Sequence, residues 1–108
     1  MEQGQVQIEV EYGMDVTFVT FEEEKILDER QITRLREAFD PIIEKNQDHK
    51  LILNFANVKF MTSAVLGLLV RIHKRVTELG GTMQLSNLDN SLYRVFEITQ
   101  LTKIFDIT

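Results

Sequence analysis

Apolar and polar residues alternate cleanly near the start of the chain. Val6, Ile8, Val10 and Tyr12 fall on one side, and Gln7, Glu9 and Glu11 on the other. A period of two marks a strand with one wet face, of the kind found near a sheet edge. Gly13-Met14 supplies a short turn, and Asp15 to Phe21 returns as a second strand. Here Val16 and Phe18 face one way and Val19 and Phe21 the other, which predicts a central strand covered on both faces. Asp28-Glu29-Arg30-Gln31 then has the spacing of a capping box, and Ile32, Leu35, Phe39, Ile42 and Ile43 make a helical stripe behind it. Pro41 conflicts with that helix. It removes a hydrogen bond and costs about 3 kcal/mol in an exposed interior, so a kink near Asp40, or a break, is expected.

Asn46-Gln47-Asp48-His49 reads as a polar loop, and Leu51-Ile52-Leu53-Asn54-Phe55 as a parallel strand buried on both faces. The stretch from Asn54 to Gly67 organises the rest: a buried strand runs through a short polar loop into a long amphipathic helix. Val65, Leu66, Leu69, Val70, Ile72, His73 and Val76 mark the helix's buried face, and Gly80-Gly81 closes it. Thr82 to Ser86 is the next strand. Asn87 or Asp89 can cap a short helix carrying Leu88, Leu92, Val95 and Phe96. Gln100 to Thr102 is a turn, and Lys103 to Ile107 a final strand. The order β-β-α-β-α-β-α-β implies an α/β fold, a mixed, mostly parallel sheet with an N-terminal hairpin and helices packed against it.

The 108 residues favour one domain over 1–108, and 44% hydrophobic content is enough for a core. A net charge of −5 argues against nucleic acid or an anionic membrane as partner. With no cysteine there is neither a disulfide framework nor a thiolate zinc site, and no apolar run is long enough for a transmembrane helix. A cytoplasmic protein is expected. His49 and His73 lie far apart without a carboxylate cluster, so no metal or cofactor is expected. Glu22-Glu23-Glu24 reads as a solvated acidic turn, and Arg71, Lys74 and Arg75 as a wet helix face. The chain carries no nucleophile elbow, Walker loop or dinucleotide fingerprint, so an enzyme is not expected. Gly67, inside the helix, suggests close packing against a neighbouring element.

Candidate chemistry sits at the two hydroxyls where the long helix begins. Thr62 or Ser63 can cap the helix by accepting from its unpaired N–H groups, and loss of the Thr62 hydroxyl would then cost on the order of 1 kcal/mol. A hydroxyl there can also carry a phosphate, because a helix N-terminus stabilises an anion. Local sequence leaves both readings open.

Three blocks give the chain a wider resemblance. They are Lys25-Ile26-Leu27-Asp28; Leu51 to Phe55 continuing through Phe60-Met61-Thr62-Ser63-Ala64-Val65-Leu66-Gly67; and Leu92 to Phe105. In that order and spacing the chain resembles a STAS domain of the anti-sigma factor antagonist type. The family's strand-to-helix block is typically Phe-Met-Asp-Ser-Ser-Gly-Leu-Gly, so the resemblance places the family's phosphorylation site at Ser63. It departs at Thr62 for the Asp, Ala64 for the second Ser and Val65 for the Gly. The resemblance implies that Asp28, Thr62, Ser63 and Ala64 belong to a partner-binding surface. The implied partner is an anti-sigma factor or serine kinase with a GHKL-type ATPase fold, with a phosphatase resetting the cycle. A phosphorylation-independent scaffold, self-associating as a homodimer or within a larger assembly, is the second reading, and the departures favour it. A sensor of a nucleotide or lipid is the third.

Overall fold

The computed structural model describes residues 8–108. The element order is β1 (Ile8–Tyr12), β2 (Val16–Phe21), β3 (Lys25–Ile26), α1 (Glu29–Lys45), β4 (Lys50–Asn54), β5 (Phe60–Met61), α2 (Ser63–Glu78), β6 (Thr82–Ser86), α3 (Asn90–Ile98), a 3-10 turn (Leu101–Lys103) and β7 (Asp106–Ile107). The main sheet has the order β1-β2-β4-β6-β7. β1 and β2 form the expected antiparallel hairpin, and every other neighbouring pair in this sheet is parallel. Val6 and Gln7, expected in the first strand, lie outside the described residues.

The strands show one covered face. Val19 and Phe21 of β2, Leu51 and Leu53 of β4, and Met83 and Leu85 of β6 are buried. They join the helix stripes of Ile32, Leu35, Phe39, Ile42 and Ile43 on α1 and Val65, Leu66, Leu68, Leu69, Ile72 and Val76 on α2. The opposite face is open, which corrects the expectation that β2 and β4 are covered on both sides. Phe18 is 42% exposed, and Ile52 and Asn54, its outward-facing neighbours on β4, are only half-buried. β2 does lie inside the sheet, between β1 and β4.

α1 starts as the sequence predicts. The Asp28 Oδ1 accepts from the Arg30 N–H at 3.0 Å, and the Gln31 Oε1 accepts from the Asp28 N–H at 2.9 Å, which together complete a capping box. The helix runs on through Pro41 to Lys45 without the expected break. Ile42 and Ile43, just past the proline, are buried in the core, so their packing offsets the lost hydrogen bond. At the far end of α2, Gly80 adopts φ +83°, the left-handed conformation that ends a helix cheaply only at glycine. Gly81 is pinned differently: a Cβ there would sit 2.5 Å from the His49 carbonyl oxygen. Two further expectations are corrected at the C-terminal end. The last strand is only Asp106–Ile107, following a 3-10 turn, and Val95 of α3 is exposed while Leu92 and Phe96 are buried.

Candidate functional site

Two short segments that periodicity could not reveal build the site. β3 and β5 form a separate parallel ladder, pairing Lys25 with Phe60 and Ile26 with Met61. The Glu24 carbonyl accepts from the N–H groups of Lys59 and Phe60 at 2.8 and 3.1 Å, and the Ile26 carbonyl accepts from Thr62 N–H at 3.3 Å. Two residues beyond the Ile26–Met61 pair, each chain segment enters its helix: Asp28 caps α1 and Ser63 opens α2. The ladder therefore fixes the two helix starts side by side at one end of the molecule.

The loop between β4 and β5 is held from several directions. Asn54 Oδ1 accepts from the Ala56 N–H at 3.0 Å and from Asn87 Nδ2 at 2.9 Å. Asn57 Nδ2 donates to the Phe21 carbonyl at 3.1 Å, and Lys59 lies 3.7 Å from Asp89, the cap of α3. Gln31 adds a tie on the other side. Its Nε2 donates to the Lys25 carbonyl at 3.0 Å and reaches the Glu23 carboxylate at 3.2 Å, so Glu23 is engaged by α1 and is not the freely solvated residue expected. Asp89 accepts from the Ser91 hydroxyl and N–H, and these bonds, with Lys59 nearby, hold its carboxyl below the ordinary aspartate range.

Ser63 is exposed at the first position of α2, and Ala64 beside it is exposed too. Thr62 occupies the N-cap position with an extended backbone, φ −85° and ψ 166°, as the sequence suggests. Its hydroxyl does not cap. No side chain accepts from the first-turn N–H groups, and the Thr62 Oγ1 is buried without any hydrogen-bond partner. The expected Thr62 capping bond is thus absent: the Val65 N–H donates instead to the Thr62 carbonyl at 3.0 Å, and no side chain accepts from the N–H groups of Ser63 and Ala64. An uncapped helix start carries the positive end of the dipole, the electrostatic setting in which an anion is stabilised.

Around this end lie exposed apolar side chains. Leu27, next to the β3 pair, is 50% exposed, and Phe60 of β5 is 53% exposed. A small concavity lined by Met61, Thr62, Ser63, Leu66, Leu92 and Val95 adjoins them. Gly67, one turn further along α2, has nothing within 4 Å of a built Cβ, so it faces open space and does not pack closely against a neighbour as expected. Among the described residues, no helix is long and apolar enough to cross a membrane, and no group of three or more His, Cys, Asp or Glu is placed to hold a metal ion.

The STAS domain family model matches residues 6–108. The chain belongs to the STAS domain family. It is 39% identical over 74 residues to the anti-sigma-B factor antagonist of Bacillus subtilis strain 168, a match spanning 68% of this chain and 66% of that one. To the anti-sigma F factor antagonist of Paenibacillus polymyxa it is 28% identical over 102 residues, spanning 94% of this chain and 86% of the relative. The fold is also that of an anti-sigma-factor antagonist (STAS) domain protein from Planctomyces limnophilus. The two structures superpose with a TM-score of 0.80 at 22% identity, over 93% of this chain and 87% of the other. In this STAS domain, the β5–α2 junction just described is one of the three blocks that carry the resemblance.

Proposed function

We propose that this STAS protein is an anti-sigma factor antagonist whose docking surface is centred on Ser63 and is switched by phosphorylation there. The observation that carries this reading is an exposed serine at the first position of a helix whose N-terminal N–H groups no side chain caps. The names of the two curated relatives give the kind of partner. The unmodified protein binds an anti-sigma factor, a serine kinase with a GHKL-type ATPase fold, through Asp28, Thr62, Ser63, Ala64 and the apolar side chains of Leu27 and Phe60. Binding sequesters that factor and frees its sigma factor. The protein acts as ligand and phosphoacceptor, not as a catalyst.

Phosphorylation adds about −1.5 to −2 charges. At a helix N-terminus an anion is favourable by about 0.3–1 kcal/mol, so the fold tolerates the group. The cost falls on the partner interface, where the dianion must be desolvated against exposed apolar residues, and the complex releases. Thr62 in place of the family's Asp keeps a second negative charge away from that phosphate. A phosphatase resets the cycle, which runs in the cytoplasm.

The test is mass spectrometry of the Ser63 peptide from protein purified out of its own host, paired with binding of Ser63→Asp to the anti-sigma factor. Phosphate on Ser63, and weakened binding of a variant with unchanged thermal stability, are the expected results. Tight binding by both forms, with no phosphate found, supports the second reading, a phosphorylation-independent scaffold that self-associates. The substitutions at Thr62, Ala64 and Val65 favour that reading.

A further inference from the structure

The outer surfaces of α1 and α2 meet in a groove that starts at Ala64, beside Ser63, and runs to Arg75. Ala64 and Gly67 keep its upper end wide, and the absence of any atom near a Gly67 Cβ shows how open it is. Ile32 and Leu68 give it an apolar floor. Its walls are cationic: Arg36 from α1, and Arg71, Lys74 and Arg75 from α2. The carboxylate of Asp40 also lines the groove, and it is paired with Arg75 at 2.6 Å. Among the described residues Arg36, Arg71 and Lys74 form no ion pair. The Glu29 carboxylate adjoins the Ala64 end beside Arg36, but on a chain of net charge −5, three cations without an ion pair along one apolar trough are still a local reversal of sign.

We propose that this groove takes an acidic, partly apolar, extended segment of the partner protein. The proposal rests on the partner-binding reading above for the origin of that segment. From Ala64 to Arg75 the helix rises about 17 Å, room for roughly five residues of extended chain. The apolar floor suits alternate aliphatic side chains, and the cations suit carboxylates between them. A nucleic acid is disfavoured by the net negative charge. A second copy offers two acidic runs, but Glu23 of Glu22-Glu23-Glu24 is already held by Gln31, and Ile8-Glu9-Val10-Glu11 is committed to the sheet as β1, paired with β2.

The experiment is a titration of the isotope-labelled full chain with a short acetylated peptide alternating Glu and Leu, followed by amide chemical shifts. Its counterpart with Lys in place of Glu serves as control. Saturable shifts along the facing sides of α1 and α2 are expected with the acidic peptide only, weakening as salt rises. The double variant Arg71→Glu, Lys74→Glu should lose about tenfold in affinity, since each exposed pair contributes modestly and is reversed in sign. Gly67→Leu fills the trough without changing charge and should block the same shifts. The proposal is overturned if no saturable shift appears, or if both variants bind like the parent. It is equally overturned if inorganic phosphate or a short DNA duplex gives the same shifts, or if they arise on concentrating the protein alone. The titration needs neither a kinase nor a phosphate. Its failure leaves the Ser63 result standing, and an unmodified Ser63 leaves the titration standing.

Discussion

Thr62→Val should stabilise the protein. The Thr62 hydroxyl oxygen is buried without a hydrogen-bond partner, and the side chain makes no capping bond. A buried hydroxyl without a partner costs about 1–3 kcal/mol relative to one that stays hydrated. Valine keeps the branched shape and the extended N-cap backbone, which a β-branched residue adopts readily, and it replaces the orphan oxygen by a methyl group. The expected gain is about 1 kcal/mol, read as a rise of about 4 °C in Tm for a domain of this size. Thr62→Ala removes the same oxygen but also a methyl group, and the two effects nearly cancel. The capping reading of the sequence demands the opposite: both substitutions should lose on the order of 1 kcal/mol. Urea denaturation of the parent and both variants, with matched m-values, separates the two. A Thr62→Val midpoint below that of the parent would show that the hydroxyl caps α2 in solution, and the argument from its burial would fall.

Asp28→Ala should lose about 1 kcal/mol in the same denaturation series, because the bond to the Arg30 N–H goes and the capping box of α1 opens. Gly67→Ala should gain up to about 1 kcal/mol from helix propensity, since the new Cβ meets nothing within 4 Å; a loss would mean that the space is filled in solution. Acid unfolding should depend on Asp89, whose carboxyl is held below the ordinary aspartate range by its bonds from Ser91 and by Lys59 nearby. A depressed folded-state value gives stability that is complete above the unfolded value and is lost as pH falls through the folded one, so Asp89→Asn should flatten the pH dependence below about 4 and leave it unchanged at neutrality.

The sequence was legible where one signal dominated. The period of α1 named all five of its buried residues, and Asp28 with Gln31 named its cap. Thr82 to Ser86 was bounded correctly by Gly80-Gly81 before it and polar residues after it. Legibility failed where two structures give the same pattern. Val16 and Phe18 are as apolar as Val19 and Phe21, so β2 carries no mark of which face the helices cover. A missing side chain at Gly67 reads equally as close packing or as an open groove, and only the neighbouring helix decides. A two-residue strand has no period at all, which is why β3 and β5 stayed hidden.

That hidden ladder also decides how α2 begins. Because β5 ends at Met61 and α2 begins at Ser63, the Thr62 backbone must span from strand to helix while its N–H stays bonded to the Ile26 carbonyl. The ladder holds Thr62 by its backbone, so the cap position does not depend on a capping side chain. The helix N-terminus is thereby left open next to Ser63, at a point that the β3 pairing ties to the cap of α1. A side-chain cap at Thr62 would compete with a Ser63 phosphate for the same N–H groups. If Ser63 is modified as proposed, the phosphate would find no side-chain cap to displace at the Ser63 and Ala64 N–H groups, the Val65 N–H being held by the Thr62 carbonyl, so modification would change the charge of the surface and leave the fold beneath it in place.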